Sequence, residues 1–407
     1  MLPVDGPPLA PGWVAVDDGR VAGVGVERRA KPRGGPGNVD LGSAVVMPGL
    51  VNAHTHLELS YLRGIVAPSA AFTAWIRDLM RLRRDQVDPS APAILESLVA
   101  AIEEARASGT ALVGDISNTL VSVPALAQSR LAARVFFEML RFRSADADDV
   151  WGAATARLAQ AAPALHAAPH VRLSLAAHAP YSVSAALFQL LRRGVDRSPQ
   201  GCTSVHLGES AEECELLQQG TGPWRALLEE LNAWDPTWVA PGCSAVEYLD
   251  RLRFFGSDTV VVHGTHLTDR DLHYLAARGA TLVTCPRSNR HVGVGDPPVA
   301  RFYQAGVRVA VGTDSLASAP DLSVFNELAA LRHLAPAVPA ARLLESATRT
   351  GAEALGFEGY GTITRGTPAA SLIAVRVPDM VDDIEEHLVG GVTAARISWP
   401  LAPDSTR

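Results

Sequence analysis

The stretch VVMPGLVNAHTH at residues 45–56 is a largely apolar run that ends in two histidines, His54 and His56. Seven further apolar runs follow it, and helical patterns lie between many of them. They are GTALVGDIS (109–117), ARVFFEML (133–140), VRLSLAAHAP (171–180), TSVHLGES (203–210), TVVVHGTH (259–266), ATLVTCPRS (280–288) and VRVAVGTDS (307–315). Eight strands alternating with helices predict an α/β fold, a closed (β/α)8 TIM barrel.

Both ends of the chain have a different character from this central part. WVAVDDGRVAGVGV (13–26) contains two apolar segments around Asp17-Asp18-Gly19, which is typical of a β-hairpin. KPRGGPGNVDLGS (31–43) is rich in glycine and proline and predicts a loop. GTITRGTPAASLIAVRV (361–377) again indicates strands and turns. The two ends together therefore predict one small β-domain into which the barrel is inserted.

Composition and charge indicate an ordinary globular protein. Of the 407 residues, 47% are hydrophobic and 19% charged, and the net charge is −7. This acidic balance gives no footprint for nucleic acid or for an anionic membrane, and no apolar run reaches 18 residues. The four cysteines form no CxxC pair and the N-terminus lacks a secretory pattern, so we expect a cytoplasmic protein.

Histidine or carboxylate side chains stand at the ends of five of the predicted strands. They are His54 and His56, then His178, His206 with Glu209, His263, and Asp314. Catalytic groups of such barrels project from the carboxyl ends of the strands, and residues two apart on a strand face the same side. Taken singly, an HxH pair is weak and Asp314 could cap a helix. Taken together, these costly buried groups predict a metal centre.

At these residues the chain resembles the amidohydrolase superfamily. The motifs are MPGLVNAHTHLE (47–58), HAPYS (178–182), VHLGES (205–210), VVHGTHL (261–267), CPRSN (285–289) and VGTDS (311–315). The HxxE motif of His206 and Glu209 resembles the aminohydrolase branch, which deaminates purines, pyrimidines and related heterocycles. The resemblance implies a small β-sandwich built from residues 1–47 and 362–407, with residues 48–361 forming the barrel.

The resemblance also implies a metal centre held by His54, His56, His206 and Asp314, with one position left for water. Superfamily members with two metals commonly bridge them through a carbamylated lysine. Lys31 is the only lysine and precedes the barrel, so we expect one divalent metal. A second metal bridged by Glu138 stays open as an alternative. Three histidines and a carboxylate suit Zn²⁺, with Fe²⁺ as the second choice.

The chemistry implied by these residues is hydrolytic deamination by a metal-bound hydroxide, since a divalent metal lowers the pKa of water to about 7. Asp314 would take the proton of the water, and Glu209 would pass a proton to the ring nitrogen beside the attacked carbon. His263 would hydrogen-bond the water and the developing tetrahedral centre. The alternative for Glu209 is a carboxylate at a helix N-terminus without a chemical role.

HLELS (56–60), FTAWI (72–76) and HLGESAEECELL (206–217) resemble adenosine-like deaminases, particularly those that act on 6-amino-6-deoxyfutalosine. The expected substrate contacts are His178, Trp75, Glu58, Arg141, Arg143 and Ser288. Trp75 could instead be a core aromatic residue of a helix, and Arg141 and Arg143 could be solvated loop residues. An arginine at this place would suit a carboxylate on the substrate, because a guanidinium binds it bidentately.

Two other functions are compatible with the same pattern. The first is another hydrolysis within the superfamily, of a C–N or C–Cl bond in a guanine, cytosine or triazine ring. The second is a catalytically silent scaffold, which the complete set of predicted ligands disfavours. The expected partner is a small heterocyclic substrate, and the sequence leaves the oligomeric state open, a homo-oligomer included.

Overall fold

The computed structural model describes residues 1–26, 37–86, 88–198 and 200–401. Within these ranges the strands are β1 (Gly12–Asp17), β2 (Arg20–Val26), β3 (Ala44–Pro48), β4 (Leu50–Thr55), β5 (Thr110–Ser117), β6 (Ala132–Met139), β7 (Val171–Ala177), β8 (Thr203–Leu207), β9 (Thr259–His263), β10 (Thr281–Thr284), β11 (Arg308–Val311), β12 (Leu372–Arg376) and β13 (Ile397–Ser398). Lys31 lies outside the described residues, as does part of the predicted loop 31–43.

The α-helices of the described residues alternate with the central strands. They are α1 (Phe72–Arg84), α2 (Pro92–Ala107), α3 (Val123–Gln128), α4 (Ala147–Ala161), α5 (Ala185–Asp196), α6 (Ala211–Gln219), α7 (Pro223–Glu230), α8 (Ala245–Arg251), α9 (Asp269–Arg278), α10 (Pro286–His291), α11 (Val299–Gln304), α12 (Val324–Leu334), α13 (Ala340–Ser346), α14 (Arg349–Ala354) and α15 (Ile384–Val389). None of them is long and apolar enough to cross a membrane.

Eight parallel strands form the barrel, as predicted. β4 to β7 make one four-stranded sheet in chain order, and β8 to β11 make a second. Backbone hydrogen bonds join the two sheets at both seams, from His206 N to His178 O (2.8 Å) and from Thr313 N to His54 O (3.1 Å). The carboxyl end of the first barrel strand is therefore held beside that of the eighth, and the carboxyl end of the fourth beside that of the fifth.

Apolar side chains fill the barrel and bind the strands to the surrounding helices. Val51, Leu112, Phe136 and Val283 belong to one buried cluster, which draws on strands from both sheets. Further clusters lie between the strands and helices α2, α5 and α9. Thr268 caps the first turn of helix α9, and Gly279 ends the helix in the left-handed conformation.

The chain ends build two small antiparallel sheets. β1 and β2 form the predicted hairpin, and β12 pairs with both β3 and β13. The hairpin contacts the C-terminal part through hydrogen bonds from Val21 N to Thr367 O and from Ala369 N to Gly19 O, both 2.9 Å long. Residues from both ends of the sequence thus meet on one side of the barrel.

The stretch 45–56 is not one strand but two. β3 belongs to the sheet of the chain ends and β4 to the barrel, and Gly49 separates them. A Cβ atom on Gly49 would lie 2.6 Å from the Cβ of Ala111 and 2.7 Å from the carbonyl oxygen of Ser371. Only glycine allows this close approach, so Gly49 fixes how the end sheet joins the barrel.

This crowding predicts the effect of a single added methyl group. Gly49→Ala should lower the free energy of unfolding by about 1–3 kcal/mol, the usual cost of overpacking. Gly152→Ala in α4 is the matched control, because no atom lies within 4 Å of the added Cβ there. It should leave stability unchanged or raise it by about 0.5–1 kcal/mol. Urea unfolding of both variants measures the difference, and equal stabilities would contradict the role of Gly49.

Candidate metal and catalytic site

The predicted metal ligands meet at the carboxyl end of the barrel. The imidazole of His54 has its ring centre 5.0 Å from that of His56 and 4.9 Å from that of His206. One nitrogen of each ring lies within 4.8 Å of the others, which is close enough for all three to bind one ion. Asp314 Oδ1 lies 3.8 Å from His54 Nε2 and 3.5 Å from His56 Nε2.

His54 shows that these residues fit a metal. Its ring is completely buried, and neither Nδ1 nor Nε2 has a hydrogen-bond partner among the described residues. Burial lowers the pKa of His54 well below its ordinary value, so the ring is neutral and offers a lone pair. A buried polar group without a partner is costly, and a metal ion is the partner that this donor set favours.

The backbone is shaped to bring these groups together. A Cβ on Gly312 would lie 2.8 Å from the carbonyl oxygen of His54, so glycine lets the residues after β11 approach β4. His263 and Asp314 both have positive φ, 77° and 59°, which is unfavourable for residues with a side chain. Such strain typically marks functional positions, because the surrounding structure must hold it in place.

Asp314 is kept ionised. Burial alone raises its pKa, but the neighbouring His56, His54 and His263 and a hydrogen bond from Ser288 together lower it to about 2. Ser288 Oγ donates to Asp314 Oδ2 over 2.6 Å. Ser288, predicted as a substrate contact, therefore orients the carboxylate of Asp314 in this structure.

Glu209 is kept neutral. It is buried, and burial together with the charges of Asp314 and Glu213 raises its pKa well above the ordinary value. Glu213 is not free to react, because it accepts hydrogen bonds from the backbone N–H groups of Gly208 and Glu209 (3.1 and 3.0 Å). The hydroxyl group of Tyr181 donates a hydrogen bond to Glu209 Oε2 over 3.4 Å. The protonated carboxyl group is thus held beside the histidine cluster.

His263 faces Glu209 with a defined tautomer. Its Nδ1 lies 2.8 Å from Asn289 Oδ1, and Asn289 Nδ2 donates to Thr265 Oγ1 over 2.9 Å. Since Asn289 presents its oxygen, Nδ1 of His263 carries the proton and Nε2 is the acceptor. This Nε2 lies 3.5 Å from Glu209 Oε1.

His178 borders the cluster, as the prediction of a substrate contact requires. Its ring centre lies 4.8 Å from that of His206, and its Nδ1 lies 2.6 Å from Ser182 Oγ. Burial, followed by the charge of Arg83, lowers the pKa of His178 to about 4, so the ring is neutral at physiological pH.

Two further predicted substrate contacts, Trp75 and Glu58, differ in whether their polar atoms already have hydrogen-bond partners in the protein. Trp75 is buried in an aromatic and aliphatic cluster, yet its indole Nε1 has no hydrogen-bond partner among the described residues. Glu58 is engaged throughout, since Oε1 accepts from Arg83 and Oε2 from Ser117 and Thr119. Its carboxylate holds the loop after β5, so it has little capacity left for a substrate.

The two predicted arginine contacts, Arg141 and Arg143, also differ in whether their guanidinium groups are already bound within the protein. Arg143 donates to the carbonyl oxygens of Trp234 (3.2 Å) and Asn232 (2.7 Å), so its guanidinium holds the loop after α7. The side chain of Arg141 is 51% exposed, and the one carboxylate near it is Asp146 at 3.6 Å, among the described residues. Of the two, Arg141 is the one available to a ligand.

Several residues of the site were missed by the sequence analysis. Tyr181 and Asn289 lie within the quoted motifs HAPYS and CPRSN, so their position was marked but their role was not. Trp224 on α7 stacks on Tyr181 with ring centres 3.8 Å apart, and its Nε1 is buried without a partner among the described residues. No motif signals Trp224, because its neighbour lies more than forty residues away in the chain.

Comparison with known proteins identifies the family of this chain. The model of the amidohydrolase family matches residues 45–394. The chain belongs to the amidohydrolase family. Its relatives include the aminodeoxyfutalosine deaminase of Deinococcus radiodurans, which is 30% identical over 359 residues, covering 85% of this chain and 82% of the relative. The 5-methylthioadenosine/S-adenosylhomocysteine deaminase of Halobacterium salinarum is 31% identical over 370 residues, with coverages of 88% and 80%.

Among solved structures, this member of the amidohydrolase family is similar to a zinc-bound adenosine deaminase from Xanthomonas campestris. The two chains share 28% identity with a TM-score of 0.79, and the match covers 94% of this chain and 85% of the other. The barrel predicted from the sequence is therefore the fold of the family, and a divalent metal is in keeping with it.

Proposed function

We propose that this protein is a metal-dependent aminohydrolase that deaminates an adenine-type nucleoside derivative. The observation that carries the proposal is the cluster of the buried His54 and His206 with the half-buried His56 and Asp314, beside a neutral Glu209. The similarity to deaminases of adenine nucleosides supports the substrate class. The geometry supports a hydrolase acting on C–N bonds rather than a silent scaffold, because the site retains both the ligands and an acid.

We assign the metal to His54, His56, His206 and Asp314, with Zn²⁺ as the preferred ion. When bound, such an ion lowers the pKa of water to about 7 and so supplies a nucleophile at neutral pH. Three imidazoles and one carboxylate leave a coordination position for water, as hydrolytic metal sites require. The zinc in the related adenosine deaminase supports the choice of zinc over iron.

The protein side chains then perform the proton transfers. The carboxylate of Asp314 is ionised and accepts the proton of the attacking water. The unprotonated Nε2 of His263 accepts a hydrogen bond from that water and orients it. Glu209 is neutral and donates its proton to the ring nitrogen beside the attacked carbon, where negative charge develops. Asp314 then passes the proton taken from the water to the amino group, the C–N bond breaks and ammonia leaves. The hydroxyl group on the attacked carbon returns a proton to Glu209 as the carbonyl group forms, which restores both carboxyl groups. The opposite protonation of Asp314 and Glu209 is what allows one site to supply both a base and an acid.

Three aromatic side chains near Glu209, those of Tyr181, Trp224 and Trp75, are suited to binding a purine ring. Tyr181 and Trp224 stack on each other, and Trp75 lies in the same buried cluster. The indole N–H groups of Trp75 and Trp224 lack partners within the described chain, so a heterocyclic ligand that offers acceptors would satisfy them. We assign His178 to the substrate as well, because it borders the metal ligands and stays neutral.

Among adenine derivatives, we propose 6-amino-6-deoxyfutalosine as the leading substrate. Its carboxylate needs a cation, and the side chain of Arg141, just after β6, is half exposed, with Asp146 as the one carboxylate near it among the described residues. Methylthioadenosine and S-adenosylhomocysteine form the second candidate class, because the relative from Halobacterium salinarum carries that name.

We also propose that residues 1–47 and 362–407 form a β-sandwich domain on the barrel of residues 48–361. The pairing of β3 with β12 and of the hairpin with residues 367 and 369 supports it. The four cysteines are free, which is in keeping with the proposed cytoplasmic location.

Removal of single ligands tests the metal assignment. The unsubstituted protein should contain about one zinc per chain. His54→Ala, His206→Ala and Asp314→Ala should each lose most of the metal and the activity, because each removes one of four ligands. His273→Ala, an exposed position on α9, is the control and should keep both. Elemental analysis of the folded proteins decides, and two zinc ions per chain or full retention in all three variants would refute the assignment.

Glu209→Gln tests the acid. The amide matches the neutral carboxyl group in shape but cannot release a proton, so turnover should fall by about 10²- to 10⁴-fold. Metal content should stay at the level of the unsubstituted protein. Glu212→Gln is the control beside it and should keep normal turnover. Loss of metal from the Glu209 variant would make Glu209 a ligand, and unchanged turnover would make it structural.

Arg141→Ala tests the substrate. A contact made equally in the ground and transition states affects binding, so KM for aminodeoxyfutalosine should rise by about tenfold or more while kcat stays near normal. Deamination of uncharged adenosine should change little. Arg143→Ala should instead lower thermal stability, since it frees the loop after α7. Rapid turnover of guanine or a triazine by a protein inert toward both adenine nucleosides would overturn the substrate assignment.

A further inference from the structure

Glu138 is a buried carboxylate at the end of β6 that the proposed reaction does not use. Its Oε2 accepts a hydrogen bond from Asn118 Nδ2 over 2.9 Å. Its Oε1 is shielded from solvent and has no hydrogen-bond partner among the described residues. A buried carboxylate oxygen without a donor is costly, so its position calls for a physical reason.

A proposed metal ligand lies close to this oxygen. Nδ1 of His206 is hydrogen-bonded to the carbonyl oxygen of His178 over 3.1 Å, so this nitrogen carries the proton. Glu138 Oε1 lies 3.4 Å from the same nitrogen, as a close electrostatic contact without hydrogen-bond geometry. The other nitrogen, Nε2, is left with its lone pair and is the atom that can bind a metal.

We propose that Glu138 is a positioning residue for the metal centre, whose carboxylate, together with the carbonyl oxygen of His178, holds the N–H group at Nδ1 of His206. The inference rests on the proposed function and deepens it. Ligating histidines generally donate their second N–H to a carboxylate or carbonyl group, and loss of that partner weakens metal binding by about 10- to 100-fold.

Glu138 is itself held by a chain of hydrogen bonds that reaches to the helix α1. Arg83 Nη1 donates to Asn118 Oδ1 over 3.2 Å, and Arg83 Nη2 donates to Glu58 Oε1 over 3.3 Å. Because the oxygen of Asn118 faces Arg83, its Nδ2 must face Glu138. Oε2 of Glu138 is thereby occupied, and only Oε1 can serve His206.

A second metal between Glu138, His178 and His206 is the competing explanation, since each offers an atom within 4.8 Å of the others. Nδ1 of His206 would then have to lose its proton and bind an ion while Nε2 binds the first. The two oxygen acceptors around Nδ1 favour the N–H group instead.

Glu138→Gln is the decisive variant. Oε2 of Glu138 accepts from Asn118 Nδ2 and Oε1 lies 3.4 Å from His206 Nδ1, so an amide must turn its NH₂ group toward one of these two N–H groups. Zinc affinity, measured by competition with a chelator on the folded protein, should fall by about 10- to 100-fold. Glu327→Gln is the matched control. Glu327 is equally buried but paired with Arg287, so its change should leave zinc affinity unaltered.

A second substitution should rescue the first. Asn118→Asp in the Glu138→Gln background provides an acceptor for the new NH₂ group and still accepts from Arg83, so the amide oxygen can face His206. Zinc affinity should return to within a few-fold of the unsubstituted protein, which a general loss of packing would not allow. Asn118→Ala is a further variant, and it should weaken zinc binding several-fold because Oε2 loses its donor.

The inference is overturned if zinc affinity is unchanged in both Glu138→Gln and Asn118→Ala. It is also overturned if Glu138→Gln reduces the zinc content from two ions to one, because Glu138 is then a ligand. In either case the unsubstituted protein still binds zinc and deaminates its substrate, so the proposed activity stands, although two zinc ions would refute the assignment of a single metal. Failure of the unsubstituted protein to bind zinc would instead remove the proposed function itself.

Discussion

The structure depends on the burial of a neutral imidazole ring, that of His54, which has no hydrogen-bond partner among the described residues. His54 is removed from water, and burial lowers the pKa of both His54 and His206 well below the ordinary value. In a metal-free protein such groups oppose folding, because their nitrogens lose hydrogen bonds to water. A bound ion would coordinate these nitrogens and so offset the lost hydrogen bonds. Metal binding should therefore stabilise the carboxyl end of the barrel.

The rest of the barrel mouth follows from that constraint. Gly312 and the strained backbone at His263 and Asp314 bring the ends of separate strands to one point. Around that point the surroundings drive two carboxyl groups apart in pKa: Asp314 to about 2 and Glu209 well above its ordinary value. The two pKa values differ because the two carboxyl groups have different neighbours. Asp314 lies among imidazoles and a hydroxyl donor, whereas Glu209 is buried beside other carboxylates.

Much of this could be predicted from local patterns. The eight apolar runs predict the barrel. The polar residues at the ends of these runs include those that the structure brings together in the site. What could not be predicted depends on partners distant in sequence. Glu58 is occupied by Ser117 and Thr119, and Arg143 by the loop at Asn232. Neither of these contacts can be recognised from the residues that neighbour Glu58 or Arg143 in the sequence.

We propose that one metal ion lies between His54, His56, His206 and Asp314. Anomalous diffraction from a crystal of the zinc-loaded protein at the zinc absorption edge tests this most directly. We expect a single peak, about 2.0–2.2 Å from one nitrogen of each histidine and from an oxygen of Asp314. A peak centred between Glu138 and His178, or no peak in a catalytically active crystal, would contradict it.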